Sequence, residues 1–213
     1  MAEHRHIEYV SRAGLKLEHA LREFKVDVST LTCADFGCNV GGFTDCLLQH
    51  GAAKVYAIDT GYGVLDWTLR NDPRVVVMER TNALHAAPPA PLLEGEGSSV
   101  PIDLVVIDLA WTQQKHSIPA ALRWLGPRPS PSESGKGNLI ITLIKPHYEL
   151  MDDERRTLLR NGVLASDEAE RVCRRVLEEM PALGVEVRAM TRSPITGGKS
   201  AKNVEFLALL RPR

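Results

Sequence analysis

Asp35, Asp59, Asp108 and Lys145 each follow an apolar run. Uniformly apolar runs such as Leu104-Val105-Val106-Ile107 have the pattern of central strands in a parallel sheet, buried on both faces. In such a sheet, ligands bind beyond the carboxyl ends of the strands, where the strand order reverses. Any one of the four could be an ordinary polar strand end. Together they predict one crevice lined by three carboxylates and an amine. An acid after the second strand, here Asp59, can accept both hydroxyls of a ribose.

Between the first two acids lies a glycine-rich turn, Asp35-Phe36-Gly37-Cys38-Asn39-Val40-Gly41-Gly42-Phe43. Glycine lets the backbone turn sharply and approach a ligand that a Cβ would hold off. A phosphate-cradling Walker loop needs a lysine after its last glycine, where this chain has Phe43. A dinucleotide loop prefers G-x-G-x-x-G, which Gly37-x-x-x-Gly41-Gly42 does not match. The spacing suits S-adenosyl-L-methionine, a cofactor without phosphates. Its amino acid end needs backbone groups and a carboxylate at the loop, for which Asp35, Gly37, Cys38, Asn39, Gly41, Gly42 and Phe43 are the candidates. Thr81 and Asn82, after the third strand, stand where an adenine would lie.

The elements that must position these residues follow in order. Residues 11–24 place Leu17, Leu21 and Phe24 at helical spacing, with Ser11 as N-cap and Lys16 on another face. Strands are predicted at 32–36, 54–58, 75–78, 104–107, 139–144, 185–191 and 204–211. Helices are predicted at 42–50, 117–125, 152–161 (polar, a candidate lid) and 167–180, with another around Leu65, Trp67 and Leu69. Trp67 and Trp111 could stack on a base, although Trp67 is expected to be buried. Residues 86–101 and 126–138, rich in Pro, Gly and Ser, read as loops. The last two strands are joined without a helix. The pattern predicts an α/β, Rossmann-like fold: a mostly parallel seven-stranded sheet with a C-terminal antiparallel hairpin, helices on both faces, and one domain over residues 1–213.

Composition excludes little. Lysines and arginines number 26 against 27 acids, so no global field attracts or repels a polyanion. From Arg188 to Arg213, however, Glu205 is the single acid among six basic residues, a solvated surface or a phosphate-facing patch. Cys33, Cys38, Cys46 and Cys173 lack C-x-x-C spacing and read as reduced, apolar residues of a cytoplasmic protein. The histidines lack metal-ligating spacing, so no metal is expected. The polar start Glu3-His4-Arg5-His6 is no signal peptide, and residues 139–144 are too few to cross a bilayer, so no membrane partner is expected.

A resemblance narrows the reading. Tyr9-Val10-Ser11-Arg12-Ala13-Gly14-Leu15-Lys16-Leu17, Gly41-Gly42-Phe43-Thr44-Asp45-Cys46-Leu47-Leu48, Val55-Tyr56-Ala57-Ile58-Asp59 and Gly61-Tyr62-Gly63 are similar to successive blocks of one family. So are Leu65-Asp66-Trp67, Leu69 to Val75, Glu79-Arg80-Thr81-Asn82, Lys145-Pro146 and Ser193-Pro194-Ile195-Thr196-Gly197. The set resembles the TlyA (hemolysin A) branch of the FtsJ-like RNA 2′-O-ribose methyltransferases and spans Tyr9 to Arg211. It implies a class I methyltransferase fold, S-adenosyl-L-methionine as cofactor, and RNA as partner, ribosomal RNA or the ribosomal subunit foremost. The family's lysine–aspartate–lysine–glutamate tetrad falls on Lys16, Asp108, Lys145 and Glu205. A lysine that takes a proton from a ribose hydroxyl must first be neutral. Burial and a second nearby cation, Lys16, are expected to lower the pKa of Lys145 accordingly. Arg12, Lys199 and Lys202 are candidate contacts to RNA phosphates.

The chain departs from that branch in three places. No counterpart of its small N-terminal S4-type RNA-binding domain precedes Tyr9, so a partner could supply RNA recognition. The glycine loop reads Phe36-Gly37-Cys38-Asn39-Val40 where relatives tend to have an alanine-serine-threonine run, and Leu109-Ala110-Trp111-Thr112-Gln113-Gln114 follows Asp108 where a valine-serine-phenylalanine sequence is more usual. Two other classes fit the residues less well. One is a methyltransferase for a small molecule or protein, which has no use for the tetrad and basic hairpin. The other is a non-catalytic RNA-binding or membrane-lytic protein, for which no amphipathic basic helix is present.

Overall fold

The computed structural model describes residues 8–88, 102–125, 138–197 and 202–213. Within them the apolar runs form β1 (Thr32–Phe36), β2 (Lys54–Ile58), β3 (Val75–Met78), β4 (Leu104–Ile107), β5 (Leu139–Ile144), β6 (Val185–Arg192) and β7 (Phe206–Pro212). They pair into one sheet of order β3-β2-β1-β4-β5-β7-β6, in which β7 alone runs against the rest. The helices are α1 (Ala13–Phe24), α2 (Gly42–Gln49), α3 (Trp67–Arg70), α4 (Gln114–Trp124), α5 (Asp152–Leu158) and α6 (Ser166–Glu179).

Successive strand residues point to opposite faces, so an all-apolar strand must be covered twice. β4 shows this directly. Val105 and Ile107 join a core with Ile118 and Trp124 of α4 and Val172 of α6, while Leu104 and Val106 join another with Leu17 of α1 and Leu47 of α2. Trp124 sits edge-on to Phe36, ring centroids 5.3 Å apart, and its indole N–H donates to the Ala86 carbonyl at 3.0 Å.

Register delivers the polar strand ends to one level. Phe36 pairs with Ile58 and with Ile107, so Gly37, Asp59 and Asp108 leave the sheet side by side. On the other flank Ile144 pairs with Phe206. Because β7 is antiparallel, one further step sets Lys145 opposite Glu205. The reversal predicted for the C-terminal hairpin therefore brings the start of the last strand to the carboxyl end of the parallel ones.

The ends of the helices differ from expectation for reasons of packing. Arg12, not Ser11, occupies the N-cap of α1, with no side-chain cap bond; the Ser11 carbonyl instead accepts from Gly14 N–H at 3.1 Å. α4 starts three residues early, at Gln114, whose N–H donates to the buried Glu149 carboxylate at 3.0 Å. That acceptor lies 35 residues away, beyond any local capping signal. Trp67, expected to be buried, is 73% exposed, because α3 is only one turn long and Leu65 and Leu69 face the core instead.

α1 approaches α2 closely at Gly42, where an added Cβ would lie 2.8 Å from Ala13 Cβ and 2.9 Å from the Gly14 nitrogen. The Ser11 hydroxyl lies nearer still and could rotate aside, but the Ala13 Cβ and the Gly14 backbone cannot. Gly42→Ala should therefore cost about 1–3 kcal/mol through overpacking, read as a lower midpoint in urea denaturation with an unchanged slope.

Candidate active site

A cavity of about 610 Å³ opens at the carboxyl ends of β1, β2, β4 and β5. That is ample for a nucleoside-sized ligand. Lys16, Asp108, Lys145 and Glu205 all line it. Lys16 Nζ donates to Glu205 Oε2 at 2.5 Å. Lys145 Nζ lies 2.5 Å from Asp108 Oδ1 and donates to the Leu109 carbonyl at 3.3 Å. An ammonium has three donors. These contacts use two of those on Lys145 and leave one for a ligand.

Lys16, though on a different helix face from Leu21 and Phe24, is buried, because the close α1–α2 crossing presses its helix face toward β7. The expectation of a lowered pKa for Lys145 is not met. Burial pulls it down, but the Asp108 carboxylate, and beyond it Glu205, outweigh burial and hold the amine above its ordinary value. Each lysine meets a carboxylate before it meets the other lysine. Glu205 is raised by burial, an effect that Lys16 partly offsets. Beneath Lys145, the buried His147 is pushed down to about 4 by burial and by the neighbouring cations Lys145 and Arg155, so it is neutral at physiological pH.

The other end of the cavity is carved by the glycine turn. Gly37 adopts φ +88°, and a Cβ there would lie 2.7 Å from the Asp108 carbonyl oxygen. The turn is held from β2: Gly37 and Cys38 N–H both donate to the Ile58 carbonyl, at 2.9 and 3.1 Å. Asn39 N–H donates to Asp59 Oδ2 at 2.9 Å, and Gly61 N–H to Asp59 Oδ1 at 2.7 Å. The loop's donors are thus committed to shaping it, and Asp59 is oriented by two backbone amides.

Of the residues expected at the cofactor, Gly37, Cys38, Asn39, Phe43, Asp59, Thr81, Asn82 and Asp108 line the cavity. Gly41 and Gly42 stand behind the wall, letting the turn pass α3 and α1. Asp35 is wholly buried below it: one carboxylate oxygen accepts from Thr44 Oγ1 at 2.8 Å and the other has no partner. Arg12 is exposed beside the cavity-lining Ser11, and Lys202 is exposed ahead of Glu205. Lys199 lies outside the described residues.

Sequence reasoning missed Leu109 as the second acceptor for Lys145, and the layer beneath. Thr142 Oγ1 donates to Gln114 Oε1 at 2.7 Å, and Gln114 Nε2 donates to the Leu143 carbonyl at 3.3 Å, tying α4 to the strand that carries Lys145. A position immediately after Asp108 would have signalled Leu109; Gln114 carries no comparable signal.

The lining suits a cationic, phosphate-free cofactor: carboxylates Asp59, Asp108 and Glu205 on the walls, and no lysine at the glycine turn. With this strand order and the switch point between β1 and β4, these features define a class I S-adenosylmethionine-dependent methyltransferase. The model of the FtsJ-like methyltransferase family matches residues 9–211, and the chain belongs to that family. It is 39% identical over 202 residues to a Bacillus subtilis protein provisionally named rRNA methyltransferase YqxC, covering 94% of this chain and 65% of that one. It is 37% identical over 205 residues to the Mycobacterium tuberculosis 16S/23S rRNA (cytidine-2′-O)-methyltransferase TlyA, covering 95% of this chain and 68% of the relative. A solved Streptococcus thermophilus structure, provisionally named a hemolysin, superposes with a TM-score of 0.80 at 34% identity, covering 99% of this chain and 69% of that one. The chain thus spans about two thirds of the length of these relatives. Among the described residues no cluster could hold a metal ion, and no helix is long and apolar enough to cross a membrane.

Burial raises Asp35 to about 7, far above an unfolded carboxyl near 3.8. The folded state therefore keeps a proton that the unfolded state releases, and Asp35 costs stability progressively as pH rises from the unfolded value toward 7. Asp35→Asn, neutral throughout, should gain stability relative to the parent across that interval and then level off. Paired urea titrations at several pH values check it; a pH-independent difference would contradict it.

Proposed function

We propose that this chain methylates the 2′-hydroxyl of a ribose in RNA, ribosomal RNA foremost, with S-adenosylmethionine as donor. The observation that carries the reading is the crossed pair of ion pairs, Lys16–Glu205 and Lys145–Asp108, on one wall of the cofactor-sized cavity. The name of the M. tuberculosis relative supports both the substrate and the hydroxyl. A ribosomal substrate places the protein in the cytoplasm.

When bound, the cofactor supplies an electrophilic methyl group. Asp35, Gly37, Cys38, Asn39, Gly41, Gly42, Phe43, Asp59, Thr81 and Asn82 are its proposed holders. Asp59 would bind the ribose hydroxyls, while Asp35, Gly41 and Gly42 act by fixing the loop. The remaining work is to aim a poor nucleophile and remove its proton. Lys145 takes that role through its uncommitted position. Asp108 fixes the amine in place, and Glu205 and Lys16 brace the same wall beside it. Alignment of this kind supplies a large part of a barrier reduction. Arg12, Lys199 and Lys202 are the proposed phosphate contacts, and Trp111, 79% exposed at the cavity edge, offers a face for a base.

Lys145→Ala should lower methyl transfer to deproteinised ribosomal RNA by about a thousandfold, with S-adenosylhomocysteine affinity changed little. Since Asp108 and Glu205 hold Lys145 above its ordinary pKa, the neutral amine is scarce near neutrality and the parent's rate should climb as pH rises into the alkaline range. A flat profile would instead make Lys145 a cation that orients the hydroxyl. Label recovered only in small metabolites or protein would refute RNA as the acceptor.

A further inference from the structure

A second cavity, about 490 Å³, lies on the far side of Trp111 from the cofactor cleft. Trp111 lines both, and its indole stacks on Tyr148, centroids 4.8 Å apart and planes 33° from parallel. Tyr148 belongs to the 3₁₀ turn that follows Lys145 directly, and its ring centroid is 5.9 Å from Lys145 Nζ. Trp111 adopts φ +60°, a left-handed conformation that a bulky side chain rarely takes. At that position the large apolar ring is 79% exposed. Lys115, His116 and Arg155 stand around the cavity, with Asp152 the acid among its walls. The Lys115 and Arg155 side chains are exposed, and neither forms an ion pair among the described residues.

The proposed acceptor ribose lies beside Lys145, so the next nucleotide of the same strand must leave the cleft past this ring. We infer that the second cavity is a binding site for a neighbouring nucleotide: its base packs on the Trp111–Tyr148 pair, and Lys115 and Arg155 contact its phosphates. Exposed aromatic faces flanked by cations are how single-stranded RNA is held without base-specific bonds. The inference rests on the reading of the cleft as an RNA methyltransferase site and extends it to the path of the strand.

The test is equilibrium binding to deproteinised ribosomal RNA across a salt series, with S-adenosylhomocysteine present, for the parent chain and the double variant Lys115→Ala/Arg155→Ala. Loss of two phosphate contacts should weaken binding about tenfold and flatten the plot of log affinity against log salt by about 1–2, with S-adenosylhomocysteine affinity unchanged. Unchanged affinity and slope in the variant would overturn the second site while leaving the cleft reading intact. A parallel fall in S-adenosylhomocysteine affinity would overturn it too, because the residues would then act through the fold. Failure of the parent to bind any RNA would overturn both.

Discussion

Two lysines and two carboxylates, one pair buried and the other half-buried, meet at the carboxyl edge of the sheet, and the rest of the structure is arranged so that none stands alone. Removing one charge from water costs several kcal/mol, on the order that one unpaired buried ion takes from a protein's stability. Close pairing at 2.5 Å within each couple, Lys16 with Glu205 and Lys145 with Asp108, offsets that cost. Each partner is set by a different element: Lys16 on α1, Glu205 just ahead of β7, and Lys145 and Asp108 just past β5 and β4. The glycine contact between α1 and α2, the antiparallel return of β7 and the matched register of β1, β2 and β4 can all be read as conditions for that meeting.

Much of this was legible in the sequence, and the boundary has a physical basis. Strands buried on both faces are uniformly apolar, so their positions and the polar residues that end them stand out within a few residues. The glycine turn was equally plain, because its steric demands are local. What could not be read was which side of an element a charged residue faces. The helical pattern put Lys16 away from the core face, since the carboxylate that draws it inward lies 189 residues along the chain; only resemblance to a family marked it. The same holds for Gln114 and Glu149, whose buried hydrogen bond extends α4 backward. Trp67 failed in the opposite sense: an aromatic residue in a helical pattern suggests core, but the one-turn α3 gives its buried side to Leu69 and leaves Trp67 outside.

The pKa of Lys145 shows why composition around a site is insufficient. Burial argues for a lowered value and is present, but the charges that act on the amine are carboxylates, not a second cation. The outcome is decided by nearest-neighbour order, in which carboxylate and ammonium alternate along the wall. Beneath this wall the hydroxyl of Thr142 and the amide of Gln114 hold β5 to α4. The loop that follows β4, with Leu109 and Trp111, is therefore fixed at both ends.

The antiparallel last strand has a consequence for how the molecule comes into being. Glu205 joins the sheet only as β7 inserts between β5 and β6, and its partner on α1 is made first by a growing chain. Closing a loop of that length has a high entropic cost, returned only when the surrounding contacts are already in place. On a nascent chain the Lys16–Glu205 pair therefore waits until Glu205 has been made. Until it forms, Lys16 has no carboxylate to neutralise it and one wall of the cleft is missing. Competence for chemistry and completion of the fold therefore arrive together, in one closing step.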